Sequence, residues 1–469
     1  MKIIIIGAGT AGPVLAIGLK RAGHEVAIYD KFDLLKAAET KSAVWFNETG
    51  GAVGVAANGV RILRDVGVLD EVLNDSIPIR NATFHKIDGS SPITQFGSPD
   101  ADPGAQIWRV ALHRIVMHKC QQEGIKAYVG KKLVAIENDE NGVTCQFEDG
   151  TSATGDLVVG ADGTHSATRR LVFGDDKKAT PAGEVGWVGV TPLDTTTTAA
   201  TTDKAAAATT DKAAAAPGLG LLAANDPHLD VKVPQTLFID RRRNASVMVC
   251  RTRANQVCWT VSTVPPTPAT ADPEWRPAPD LPGESARLAA EVEAWGAPAH
   301  VTRLIRGAAS VAPFAVYEIA DLASFGSAAR RVVLVADAAH AMRPNLGVGL
   351  SMGLEDAGVL YELLAAFPAA AQLPIVLRAY DQLRMKRTQS IAAQARKVSQ
   401  MGHSSSDFAA AFAHMTMRAV FFLMKFVDLY GPIANYDFKA ETAKLVAELK
   451  KTSVKENPAD SKETVTVEN

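Results

Sequence analysis

The opening stretch, MKIIIIGAGTAGPVLAIGLKRAGHEVAIYDK, constrains the fold more than any other part of the chain. Ile3 to Ile6 form an unbroken β-branched run, as expected of a parallel strand covered on both faces. Gly7, Gly9 and Gly12 follow in the spacing GxGxxG. The pattern then predicts a helix from about Ala11 to Arg21, a stop at Gly23 and a second strand in EVAIYD. Strand, glycine turn, helix and strand are the first unit of an α/β fold. Gly7 permits the tight turn, Gly9 lets the backbone approach a ligand, and Gly12 lets helix and strand pack closely. The helix N-terminus supplies free N–H groups and a positive dipole end, which suits a pyrophosphate. Asp30 ends the second strand, where it can accept hydrogen bonds from a ribose. Gly7, Gly9, Ala11, Gly12, Asp30 and the adjoining Lys31 are therefore the candidate dinucleotide-binding residues.

The motif leaves NAD and FAD both open. A nicotinamide-dependent dehydrogenase continues with further βα units, whereas this chain turns to hairpins and antiparallel strands. That favours FAD as a resident cofactor. Length and apolar content, 469 residues and 47%, suit two or three packed domains. Lys plus Arg (49) nearly balances Asp plus Glu (51), which argues against nucleic acid or an anionic membrane as main partner. No secretory signal and no run of 18 apolar residues is evident, so a cytoplasmic location without a transmembrane segment is expected. Cys120, Cys145, Cys250 and Cys258 lack metal spacing, and the last two read as buried thiols flanking a turn.

Further along, residues 50–72 read as a short strand and an amphipathic helix, and residues 79–96 as an antiparallel hairpin. WRVALHRIVMHKCQQEG is helical, and residues 131–163 hold three or four strands. Antiparallel patterns fill about 181–265, and helices fall at 284–300, 350–366, 374–400 and 407–427. The tandem TTDKAAAA repeats, at 201–208 and 209–216, read as a solvated insertion. The expected division is an FAD-binding domain from 1–78, 103–175 and 325–373, and a substrate domain from 79–102 and 176–324 carrying the insertion at 194–216. A C-terminal helical region, 374–450, and a disordered tail, 451–469, complete it.

Two later motifs carry a resemblance. One is GADGTHSATR, residues 160–169; the other is ADAAHAMRPNLGVGLSMGLEDA, residues 336–357. With GAGTAG, in this order and spacing, they resemble the single-component FAD-dependent aromatic hydroxylases, the p-hydroxybenzoate hydroxylase-like flavoprotein monooxygenases. The resemblance covers about residues 1–175 and 325–430. It implies a Rossmann-like FAD-binding domain with an antiparallel-sheet substrate domain and a C-terminal helical region. It places Arg109 against FAD, Asp162 and Gly163 near the pyrophosphate and a passing nicotinamide cofactor, and Arg169 as the brace of that turn. Asp337 would bind the ribityl chain, and Pro344 would lie near the flavin ring. Gly347, Val348, Gly349 and Leu350 would bring backbone N–H groups to the ring's N1–C2=O edge, where a reduced flavin concentrates negative charge. Ala336 stands where the family usually has Gly, and Val348 and Ser351 where Gln and Asn are common. His340 reads as a support for the helix rather than an acid–base group.

The implied activity is an FAD-dependent monooxygenase that uses NADPH or NADH as transient reductant and O2. One oxygen atom would enter an electron-rich aromatic or polyketide-like small molecule through a flavin C4a-hydroperoxide. A reductase or oxidase of the same fold, or a flavin-binding protein without turnover, are the alternatives. The substrate would lie between flavin and middle sheet. No Tyr occurs between 129 and 316, so no tyrosine there can polarise a phenol. Trp187, His228 and Arg241, with Arg242, Arg243 and Arg251, are the substrate candidates.

Overall fold

The structure is a computed structural model describing residues 1–32, 51–97, 102–139, 141–193, 234–253, 255–265, 278–402, 404–423 and 431–456. The chain opens with β1 (Lys2–Ile6), α1 (Ala11–Arg21) and β2 (Glu25–Tyr29). Next come β3 (Ala52–Val55), α2 (Ala57–Asp65), α3 (Leu69–Asn74), β4 (Ile77–Ile79), β5 (Asn81–Lys86), β6 (Ile93–Phe96) and β7 (Gly104–Trp108). They lead to α4 (Arg109–Gln122), β8 (Lys126–Tyr128), β9 (Leu133–Asn138), β10 (Val143–Phe147), β11 (Ser152–Gly155), β12 (Leu157–Gly160) and α5 (Ala167–Phe173).

Five parallel strands lie at the centre of this part. The order is completed by β18, introduced below, at one edge, followed by β12, β1, β2 and β8. The isoleucine run is explained by what covers each face. Ile3 and Ile5 pack into the helical layer containing Val14, Ile17 and Leu360. Ile4 and Ile6 pack on the opposite side against Leu133, Cys145 and Phe147 of the antiparallel sheet β11-β10-β9. Each fully buried isoleucine contributes about 1.5–3 kcal/mol, which is why no polar residue interrupts the strand.

The middle of the chain supplies β13 (Thr180–Pro192), β14 (Gln235–Asp240), β15 (Ala245–Arg251), β16 (Gln256–Thr263), α6 (Leu281–Ala294), α7 (Ala299–Arg306) and β17 (Ser310–Glu318). They build a seven-stranded sheet in the order β17-β13-β16-β15-β14-β5-β6, antiparallel except where β14 meets β5. α6 and α7 cover one face, packing Leu288, Val292 and Leu304 against Trp259 of β16. The other face packs Val188, Cys258 and Phe314 against Ala52 and Trp108 of the first part. Cys250 and Cys258 are directly opposite each other, buried and unbonded, as read from the sequence.

The chain ends with β18 (Val332–Leu334), α8 (Asp337–His340), α9 (Gly349–Ala366), α10 (Leu373–Met401), α11 (Asp407–Leu423), α12 (Gly431–Ala434) and α13 (Phe438–Glu456). Several boundaries differ from the pattern reading. Gly67, at φ +70°, breaks the predicted amphipathic helix into α2 and α3. Gly296, at φ +89°, and Pro298 likewise separate α6 from α7. β17 was not anticipated, and α13 continues to Glu456, six residues into the stretch read as tail. The TTDKAAAA repeats lie outside the described residues.

Candidate active site

The first glycine bend joins β1 to α1. Gly7 has φ +111°, and a Cβ there would fall 2.3 Å from the Ala161 carbonyl oxygen. A Cβ on Gly12 would fall 2.2 Å from the Gly7 oxygen. Both positions therefore exclude a side chain. Gly9 differs: nothing lies within 4 Å of where its Cβ would be, so its backbone faces open space. α1 has no side-chain cap and no acidic residue in its first turn. Its orphan N–H groups and positive end are left for an anion.

The carboxylate of Asp30 fixes this bend. One oxygen accepts the Ala8 N–H at 2.7 Å and the other accepts the Phe32 N–H at 2.9 Å. Burial raises its pKa, opposed by those same bonds. Lys31 is exposed, its ammonium 4.9 Å from the Phe32 ring centre. On α4, buried His113 places Nε2 2.7 Å from the Ala8 oxygen, and burial lowers its pKa to about 4. His113 is thus a neutral donor to the bend, a role the sequence reading missed. Its only signal was a histidine on the apolar face of that helix.

The second bend runs from Pro344, in a single 3-10 turn, through Gly347 to α9. Gly347 adopts the left-handed conformation, φ +64°, and neither it nor Gly349 has any atom within 4 Å of a built Cβ. α9 also lacks a side-chain cap and a first-turn acid. Val348 turns away from the opening and is buried with Met352, Ile391 and Ile433. Leu350 packs against the main core, and the Ser351 hydroxyl accepts the Ala56 N–H at 2.9 Å. The side chains of this turn are thus used internally, which leaves its backbone N–H groups for the opening.

These two bends are neighbours. A Cβ on Gly353 would lie 3.8 Å from the Ala11 Cβ of α1 and 2.6 Å from the Ala336 Cβ. Ala336 has φ 55° and ψ −142°, a conformation suited to glycine. Its methyl points at α9, where the bare Gly353 receives it, rather than at the opening. Asp337 follows, exposed, with Thr164 Oγ1 at 3.4 Å from its carboxylate. Arg109, at the start of α4, is exposed to solvent although protein atoms crowd around it. Desolvation lowers its pKa, and the charge of Asp337 opposes that shift. No described residue accepts a hydrogen bond from its guanidinium, which leaves that group available for an anionic ligand.

The loop after β12 is held from inside. Asp162 accepts the Ser166 hydroxyl at 2.5 Å and the Thr168 N–H at 2.9 Å, so its carboxylate caps α5. Its carboxylate is thereby engaged within the loop itself. Gly163, φ +75°, faces open space. Arg169 is fully buried and donates to the Thr164, Lys177 and Ala338 carbonyls at 2.6, 2.7 and 2.9 Å. It braces the loop against α8, as its position in the motif implied.

Beneath the second bend lies a buried charge network that the sequence did not reveal. Asp356 accepts from the Ala336 N–H at 2.7 Å, from His340 Nε2 at 2.5 Å and from Arg384 Nε at 2.7 Å. Glu355 accepts from Arg384 at 2.5 Å, from Arg387 at 2.7 Å and from Asn58 at 2.6 Å. Burial would raise the Asp356 pKa, but His340 and Arg384 outweigh it and hold the carboxyl below its usual range. His340 therefore supports the Ala336 turn.

The substrate candidates fare differently. Trp187 is on the far face of β13, packed with the α6–α7 layer and 5.0 Å from the Arg287 guanidinium. Val188, its neighbour, is on the opposite face, packed toward Ala52 and Trp108. Arg241 sits in the β14–β15 turn and donates to the Met401 carbonyl at 2.8 Å, tying the sheet to the end of α10. Arg242 and Arg243 bond Ser404 and Asp240 in the same turn. Arg251 follows Cys250 on β15 and so lies on the face away from the cleft. His228 lies outside the described residues.

The model of the FAD binding domain family matches residues 1–276 and 307–395. The FAD-dependent urate hydroxylase of Klebsiella pneumoniae is 28% identical over 411 residues, covering 86% of this chain and 91% of that protein. Hispidin-3-hydroxylase of Neonothopanus nambi is 27% identical, covering 97% and 98%. Among solved structures, CtdE in complex with FAD and substrate shares the fold, with a TM-score of 0.74 at 17% identity, covering 96% of this chain and all of that one.

Proposed function

This chain belongs to the FAD binding domain family and is a flavin-dependent monooxygenase; from that premise we propose that it inserts one oxygen atom into an electron-rich aromatic or polyketide-like molecule, using NAD(P)H and O2. The observation that carries this reading is the meeting of two uncapped helix N-termini, α1 and α9, beside an unbonded Arg109. A long, flat dinucleotide with a charged middle fits that arrangement.

The backbone N–H groups at Gly9, Ala11 and Gly12 would hold the pyrophosphate, and Asp30 has lone pairs left for a ribose hydroxyl. Arg109 and Asp337 would orient the chain leading to the ring. Pro344 and Gly347 would border the ring itself. The N-terminus of α9, from Val348 to Leu350, would stabilise negative charge at the ring edge by about 1 kcal/mol, and by up to ~2 kcal/mol where water is excluded. When bound, FAD supplies the redox chemistry: it accepts a hydride and activates oxygen. The cleft between the glycine bends and the seven-stranded sheet would exclude water and hold the substrate. Asp162 and Gly163 would border the path of a passing nicotinamide cofactor, and Lys31 would lie beside the bound FAD.

The test has two stages. The purified protein, supplied with FAD, is expected to show flavin absorbance and to consume NAD(P)H faster when a suitable phenol or polyketide-like ring is added. Run under ¹⁸O₂, the product is expected to carry one labelled oxygen. No flavin absorbance after FAD addition defeats the reading outright. Turnover without label in the product assigns the protein to reductase or oxidase chemistry instead.

A further inference from the structure

On the assumption that the preceding reading holds, we propose that Glu184 determines specificity. Its carboxylate accepts a hydrogen bond from a hydroxyl or amino group of the aromatic substrate and turns away aromatic carboxylates. The argument starts from the pleat of β13. Val188 lies on the face that meets the FAD-binding layer, with Ala52 and Trp108. A Cβ on Gly51 would approach the Val188 methyl to 3.1 Å. Gly186 is on that same face, beneath the Phe314 ring, which a Cβ there would meet at 2.7 Å. Glu184 stands two residues earlier and so shares this face.

β13 is also irregular at this point. Its register against β17 shifts between Pro181 and Val185, and Gly183 has φ +80°. Bulges of this kind re-aim a side chain, and they recur beside active sites. Glu184 is within electrostatic reach of Arg343, the residue immediately before Pro344. That places the carboxylate on the side of the sheet that neighbours the Arg343–Pro344 turn. It is partly buried, and no described residue donates a hydrogen bond to it. Burial raises its pKa, with Arg343 opposing. A desolvated carboxylate without a donor is a strong acceptor.

The neighbouring charges define the ligand class. Arg343 is the nearby cation, but it is bound to Glu318 at 3.0 Å and to the Ser399 hydroxyl at 3.0 Å. Arg396 adds a second contact to Glu318 at 3.7 Å. An aromatic acid entering here would bring its own carboxylate to Glu184 with the cation already paired. A phenol or aniline brings a donor instead. The Trp108 indole N–H, packed against the same apolar face, is buried and has no acceptor among the described residues.

The experiment titrates catechol and benzoate onto the FAD-loaded protein and onto Glu184→Gln and Glu184→Ala, following perturbation of the flavin spectrum. In the parent protein catechol is expected to bind at least about tenfold more tightly than benzoate, the size of one hydrogen bond to a charged group. In Glu184→Gln that preference is expected to fall by about tenfold, with FAD content kept. Equal affinities in the parent, no perturbation by either probe, or an unchanged preference in both variants overturns the proposal. So does loss of FAD from both variants, which would mark a structural role. A catechol preference that depends on Glu184, in a protein whose product carries no labelled oxygen, upholds this inference and sinks only the oxygenase reading.

Discussion

At residues 7–12 the glycines are dictated by their surroundings, since a Cβ on Gly7 or Gly12 would fall within 2.3 Å of a carbonyl oxygen. At residues 347–349 nothing lies within 4 Å of either glycine's missing side chain. One bend is closed by protein and the other is open to a ligand. Gly9 belongs with the second group although it sits inside the first motif. The difference separates glycines that let the chain fold from glycines that let a flat molecule approach. It extends to what supports each bend. The first is held by backbone bonds to the neutral His113 and to Asp30, the second by a buried network of Glu355, Asp356 and Arg384.

The strongest way to break this contrast is at Arg384. Replacing it with Ala removes one of the two arginines that Glu355 pairs with and the one that Asp356 pairs with among the described residues, leaves both carboxylates buried, and is expected to destabilise the fold by about 3–5 kcal/mol in chemical denaturation. A variant as stable as the parent would show that the second bend needs no such support. Gly12→Ala comes next. It forces a contact of 2.2 Å with the Gly7 oxygen, and the expected loss is about 3 kcal/mol by the same measurement. Arg109→Gln is expected to leave the apoprotein's stability unchanged while weakening FAD binding about tenfold to a hundredfold in an equilibrium titration. The smallest effect is at Ala336→Gly. Relief of the φ 55° conformation is expected to raise stability by about 1 kcal/mol, read as a higher melting temperature.

Much of this was legible before the structure. The isoleucine run and the two glycine bends follow from period and spacing, and the bracing role of Arg169 from the family resemblance. The buried network was not legible, because Glu355 and Arg384 lie on different helices and each alone reads as a solvated charge. The misplacement of Trp187 has a different cause. Alternation along β13 identifies two faces, but both are covered, one by α6 and α7 and the other by the FAD-binding layer. Apolar pattern cannot say which cover contains the cofactor. Arg241 was misread because a turn arginine gives no sign, in sequence, that its partner is the end of α10. Glu184 escaped notice because the bulge that aims it has no fixed sequence signature.

The claim that one FAD spans both bends is tested most directly by titrating apoprotein with FAD, and with ADP as competitor, in Gly9→Val and Gly349→Val. The account predicts one FAD per chain, weakened by either substitution. It also predicts that ADP competition is lost only in Gly9→Val, because ADP reaches the first bend alone. FAD affinity untouched by Gly349→Val, or ADP binding abolished by it, would contradict the account.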